Sequence, residues 1–94
     1  MNFTFEWDEE KANSNLKKHK ISFEEGITIF NDPFLLTFHD LEHSEFQERY
    51  INIGTSVNGR ILILIHTERK DNIRIISCRK ATSTERKAYE KRDI

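Results

Sequence analysis

Asn72-Ile73-Arg74-Ile75-Ile76-Ser77-Cys78-Arg79-Lys80-Ala81 has the branched aliphatics of a sheet strand, yet it closes on cations where a turn would place glycine or asparagine. Strict alternation puts Ile73, Ile75, Ser77 and Arg79 on one side and Arg74, Ile76, Cys78 and Lys80 on the other, so neither side is uniformly apolar. An arginine carried on sheet backbone holds its planar five-donor fork in a stiff frame, which suits a phosphate or a carboxylate. The stretch reads both as a core strand and as part of an anion site.

Reading backwards from it, Glu68 to Asn72 is a turn and Arg60 to Thr67 a strand whose run Ile61-Leu62-Ile63-Leu64-Ile65 is buried on both faces and far too short to span a bilayer. Asn58-Gly59 is a hairpin signal, and Glu48 to Thr55 is the strand before it, so the three strands form an antiparallel meander. Phe34 to Phe38 is a further strand, and His39 to Gln47 a polar loop. Near the start, Phe3 to Trp7 is a short edge strand, and Asp8 caps a helix over Glu9 to Lys20 with acids in its first turn and bases in its last. Its apolar stripe is only Ala12 and Leu16, which makes it a surface helix. Ser22 and Glu25 form a capping box for a second helix, with Phe23, Ile27 and Phe30 on one face and a stop at Asn31-Asp32-Pro33. Thr82 and Glu85 open a last helix anchored by Ala88 and Tyr89. The expected fold is α+β: a small antiparallel sheet with two N-terminal helices and one C-terminal helix, all against one face, the other face left for function.

A chain of 94 residues, 1–94, makes one domain with one modest core. Its net charge of −1 hides a dipole: residues 1–59 sum to −6 and residues 60–94 to +5. The basic C-terminal third suits a polyanion, while a solvated surface is the plainer account of the same charges. A lone Cys78 excludes an internal disulfide, and Met1 to Glu6 shows no basic segment followed by an apolar one, which together read as cytoplasmic with no membrane role.

The chain has no glycine-rich phosphate loop, nucleophile-elbow serine or paired cysteines, and His39 and His43, four apart in a loop, do not make a metal site, so no cofactor is expected. What remains is Arg49, Arg69, Arg74 and Arg79, four guanidiniums that the meander can bring to one concave surface. Cleavage of RNA by its own 2′-hydroxyl needs a base, an acid and a cation for the developing charge; arginine supplies the last. The proton carriers are His66, His43, His19, Glu48 and Tyr89, histidine foremost because its ordinary pKa of ~6.5 suits neutral pH. Each has a structural alternative: Arg49 and Arg74 as cross-strand partners of Glu48 or Glu68, His66 as a hydrogen-bonded sheet residue, Tyr89 as the anchor of the last helix.

Phe5-Glu6-Trp7-Asp8, the helix Lys11 to His19 leading to Ile21-Ser22-Phe23-Glu24-Glu25, Phe30-Asn31-Asp32-Pro33, His43-Ser44, Glu48-Arg49, Ile53-Gly54, Thr67-Glu68-Arg69 and Arg74 to Ala81 together resemble the BrnT family of bacterial type II toxins. The resemblance implies a RelE-like ribonuclease that inhibits translation and is neutralised by a BrnA-like ribbon-helix-helix antitoxin, reaching operator DNA only through that partner. It places Arg49, Arg69, Arg74 and Arg79 on positions that are charged in the family and leaves the general base unassigned. Cys78 stands where the family has a small residue, and the last helix is short. The catalytic set is then Arg49, Arg69, Arg79, Glu48 and His66, with Arg74, Lys80, Arg86, Tyr89, Lys18 and His19 as RNA contacts. A non-catalytic nucleic-acid-binding regulator using the same basic surface, and a module that binds only a protein, are the rival readings.

Overall fold

The computed structural model describes residues 4–43 and 47–92. In chain order the elements are β1 (Thr4–Glu6), α1 (Glu9–His19), α2 (Phe23–Gly26) running into a 3₁₀ turn (Ile27–Asn31), β2 (Leu36–His39), a second 3₁₀ turn (Leu41–His43), β3 (Arg49–Thr55), β4 (Ile61–Arg69), β5 (Asn72–Lys80) and α3 (Ser83–Lys91). The expected strand start at Phe3 and the Ser44 of the His43-Ser44 pair lie outside the described residues.

The five strands lie in the order β1-β5-β4-β3-β2. The meander β3-β4-β5 is antiparallel as expected, and β2 adds to it antiparallel, but β1 pairs parallel to β5, Thr4 with Asn72 through Glu6 with Arg74. The sheet is therefore mixed rather than purely antiparallel. Two helical segments lie between β1 and β2, and the chain returns to the sheet at its opposite edge.

The register corrects the reading of the decisive stretch. His66 pairs with Ile75 but Ile65 pairs with Ser77, so Ile76 is an extra residue, a bulge in β5. The bulge rephases the strand: Ile73, Ile75 and Cys78 share the face that packs on α2 and the turn after it, with Leu62, Leu64, Ile21, Phe23 and Ile29. Arg74, Ser77 and Arg79 share the other. One inserted residue gives the strand an apolar face from Ile73 to Cys78 and a polar one opposite, with Lys80 beside Leu62 ending the apolar side. Cys78 is fully buried, and its thiol is pushed up to about 12 by that burial, as befits a small core residue. Gly26 lies so close that a Cβ there would sit 2.9 Å from the Cys78 sulfur.

The β5 edge beyond β1 is closed by α1. Asn15, 7% exposed, donates its side-chain nitrogen to Cys78 O at 2.7 Å and to Ile21 O at 3.0 Å, and its oxygen accepts from Cys78 N at 3.1 Å. One amide thus replaces a missing strand partner.

The second helix is shorter than expected. Ser22 caps it through Glu25 N at 3.0 Å, but after one turn the backbone tightens into 3₁₀ geometry. Only one of the three expected helices departs from the anticipated layer. Ala81 N bonds Ile61 O at 3.0 Å, the chain turns, and α3 crosses the face opposite α1 and α2, where Tyr89 packs with Ile53 and Ile63. The Tyr89 hydroxyl donates to the Asp32 carboxylate and lies 3.1 Å from Thr55 Oγ1. The face expected to be left open is therefore partly roofed, and what remains for function is its other end.

Candidate functional site

Three adjacent strands bring Arg49, Thr67 and Arg74 into one cross-strand row on the α3 side of the sheet, since Arg49 pairs with Thr67 and Thr67 with Arg74. Strand spacing sets the two arginine Cα atoms roughly 10 Å apart. Arg69, two residues beyond Thr67, extends the row at the end of β4, and its guanidinium is within 2.7 Å of the Gln47 side-chain oxygen once that amide faces it. Arg79 is on the same face but five residues further along the bulged strand, on the order of 15 Å away. The anticipated cluster of four is thus a group of three at one end and Arg79 at the other.

Beside the row is an open cleft of about 430 Å³ lined by Lys11 of α1, Glu42, His43, Gln47, Arg49, Thr67 and Ile76, so that one carboxylate stands at it among the cations. His43 Nδ1 lies 3.0 and 3.2 Å from the two Asp40 oxygens, and Asp40 Oδ2 lies 3.9 Å from Arg49 Nε. Asp40 is held in place by its own amide, which bonds Arg49 O at 2.8 Å, and the 3₁₀ turn that follows carries His43 back over it. A 3₁₀ turn eclipses residues three apart, so the i,i+3 spacing of Asp40 and His43 is the local signal that sets them together. His43 is half-exposed on the cleft wall while Asp40 is largely covered, an arrangement in which the carboxylate orients the imidazole and the far ring nitrogen is presented outward. Arg74 reaches the same face and meets Glu6 of β1 through a single contact at 3.0 Å.

The remaining candidates fall elsewhere. His66 is 2% exposed on the helix side of the sheet, where its Nδ1 is 2.7 Å from Asn52 Nδ2 and its Nε2 3.0 Å from Glu68. Its ring stacks on Tyr50, which in turn stacks on His39. Glu48 meets His39 Nε2 in that same group. The structure brings neither His66 nor Glu48 to the arginine row, because residues adjacent along a strand project to opposite faces. Arg79 gives Nη1 and Nη2 to the two Glu85 oxygens at 2.8 and 2.9 Å, and Glu85 also closes the Thr82 capping box. This doubly bonded guanidinium holds the Glu85 carboxyl down at about 2. Lys80 and Arg86 line a hollow with Arg60 at that end. Tyr89 has its hydroxyl committed to Asp32 and Thr55. Lys18 and His19 line a groove along α1 that shares Lys11 and Ile76 with the cleft, so they form its outward continuation.

Asp40, Lys11, Gln47 and Thr67 were not candidates by sequence. Lys11 reaches the cleft only because α1 closes the β5 edge, and Thr67 only because of the register; neither carries a local signal.

Comparison with known proteins bears directly on this geometry. No curated protein sequence matches the chain. Among solved structures it is similar to the crystal structure of the Brucella abortus ribonuclease toxin BrnT, with a TM-score of 0.67 at 21% identity, covering 87% of this chain and 100% of that one, a likeness of fold. The family model described as the ribonuclease toxin BrnT of type II toxin-antitoxin systems matches residues 7–85, which takes in α1, the whole meander, the arginine row and the cleft. By that match the chain belongs to the BrnT family of ribonuclease toxins of type II toxin-antitoxin systems.

Proposed function

We propose that this toxin cuts RNA without a metal ion, at the cleft between Arg49 and His43, as a single domain spanning the chain. The 2′-hydroxyl oxygen attacks the adjacent phosphorus as its proton passes to His43, and the bond from phosphorus to the 5′ oxygen breaks. The products are a 2′,3′-cyclic phosphate and a 5′-hydroxyl, the departing oxygen taking its proton from Lys11 on the facing wall. Arg49, Arg74 and Arg69 bind the phosphate and stabilise the charge it gathers on the way to the pentacoordinate state. Lys18 and His19 receive the RNA backbone along α1. The observation that carries this reading is the Asp40 bridge, which sets an oriented imidazole and a guanidinium side by side in one open cleft.

The cationic row also supports a partner. A BrnA-like ribbon-helix-helix antitoxin that covers it would exclude RNA, and operator DNA would be contacted through that partner, in the cytoplasm where the substrate is found.

Purified protein incubated with RNA in excess chelator tests the reading. We expect fragments ending in cyclic phosphate, none when the nucleotide at the cut site is 2′-deoxy, and loss of cleavage in Arg49→Ala and His43→Ala. Binding without cleavage, weakening steeply with salt, would favour the regulator instead; cleavage that stops with chelator would overturn metal independence.

A further inference from the structure

Thr67 stands at the centre of the row, flanked by Arg49 on β3 and Arg74 on β5, and lines the cleft. It is 5% exposed, and its hydroxyl oxygen is buried with no hydrogen-bond partner among the described residues. A buried hydroxyl left unpaired is costly. Valine has the same branched shape, would fill the same space without that cost, and would continue the aliphatic character of β4, which runs Ile61-Leu62-Ile63-Leu64-Ile65 just before it. Stability alone therefore selects against threonine at this position. A hydroxyl that is unsatisfied in the unliganded protein, between two cations, has the chemistry of a group waiting for an anionic oxygen.

We propose that the Thr67 hydroxyl donates a hydrogen bond to a non-bridging oxygen of the RNA phosphate held by Arg49 and Arg74. The inference rests on the reading of this cleft as the cleavage site and adds to it a neutral donor at the floor of the row. The flanking arginine side chains turn outward onto the phosphate and uncover the hydroxyl as they do so. Two guanidiniums fix the charge; a single hydroxyl beneath them fixes the rotation of the phosphate, and so the line of attack of the 2′ oxygen.

The test compares Thr67→Val and Thr67→Ser in thermal unfolding and in single-turnover cleavage of an RNA oligonucleotide, with Arg49→Ala alongside. Thr67→Val is expected to melt at or above the wild-type temperature while cleaving roughly ten- to a hundredfold more slowly, the size of one hydrogen bond to a charged oxygen. Thr67→Ser, which keeps the hydroxyl and loses the methyl, is expected to melt lower and cleave within about threefold of wild type, since the bond itself is retained. Wild-type cleavage by Thr67→Val overturns the proposal. So does a Thr67→Ser variant as slow as the valine variant, which would make the methyl the important part, or a valine variant that loses melting temperature and activity together. If Arg49→Ala abolishes cleavage while Thr67→Val does not, this inference alone fails; if the wild type does not cleave, the site reading fails with it.

Discussion

At one end of the α3-covered sheet face Arg79 gives both terminal nitrogens to Glu85 at 2.8 and 2.9 Å; at the other, Arg74 meets Glu6 at a single 3.0 Å contact. Arg60, beside the Arg79 end, is likewise bonded through Nε and Nη2 to Glu25. A bidentate pair uses the planar fork fully and leaves little of it for a ligand, whereas a single contact leaves donors to be turned onto a phosphate. The same residue type therefore locks the fold at one end and faces a cleft at the other, and only the position of the carboxylates tells the two uses apart.

The sharpest way to break this contrast is to remove one arginine from each end. Arg74→Ala is expected to slow RNA cleavage by about a hundred- to a thousandfold, as loss of one preorganised donor to a developing anion does, with the melting temperature little changed. Arg79→Ala is expected to do the reverse: cleavage within a few fold of wild type and stability lower by about 1 kcal/mol, the upper range for a partly exposed pair. Growth arrest on expression gives the same readout in cells. Equal losses of cleavage from two well-folded variants would remove the distinction.

The carboxylates of the locked end sharpen it further. Glu25 is 8% exposed, and the bonds from Arg60, opposed by burial and helped by Ser56, hold it at about 2 against an ordinary 4.5. Glu85 is held at about 2 by Arg79. Both are depressed in the folded protein, so their stabilisation is complete above the unfolded value and is lost as pH falls from about 5 towards 2. For Glu25 the shift corresponds to roughly 3 kcal/mol. Glu25→Gln should lower stability by that order at neutral pH and flatten the acid limb of the stability curve, measured by urea unfolding at several pH values. A variant with the wild-type pH dependence would show that another group carries it.

How much of this was legible beforehand follows the range of each signal. The Ser22 and Thr82 caps, the Pro33 stop, the Asn58-Gly59 turn and the three meander strands were readable because each depends on residues a few positions apart. Gly59 has φ +79°, the conformation its turn requires. The parallel pairing of β1, the bulge at Ile76 and the crossing of α3 to the second face were not readable, since each is decided by a partner far along the chain. The site divides the same way. Arg49, Arg69 and Arg74 are legible as cations on or beside the strands, but alternation alone puts Arg74 and Arg79 on opposite sides, and the pairing of His43 with Asp40 is hidden because the 3₁₀ turn that sets it lies in a segment that reads as polar loop.

Tyr89 belongs to the locked end, where it pins α3 on the row of Ile53, Ile63 and Arg79. Burial raises its hydroxyl pKa and so does the Asp32 carboxylate it donates to; Asp32 itself is lowered overall, because the Tyr89 bond and the amides of Thr55 and Phe34 outweigh its burial. Tyr89→Phe keeps the ring among Ile53 and Ile63 and removes the hydroxyl's bonds to Asp32 and Thr55, so a loss of at least about 1.5 kcal/mol is expected, the lower range for a hydrogen bond to a charged group alone. Cleavage should be retained. A tyrosine hydroxyl acting as a proton donor would instead give a stable, inactive variant.

The smallest expected effect tests the locked end where the helix begins. Thr82 Oγ1 accepts from Glu85 N at 3.2 Å, and Glu85 Oε1 accepts from Thr82 N at 2.8 Å while also holding Arg79. Thr82→Ala removes one of these bonds and leaves the carboxylate on the arginine, so it should cost about 1 kcal/mol, the usual worth of an N-cap side chain. For a domain of this length that is roughly 4–8 °C in melting temperature. In Arg79→Ala the opposite half of the network is lost. If the cap and the arginine act through the same carboxylate, the double variant should lose less than the two single losses together, whereas strict additivity would separate the Arg79 pair from the start of α3.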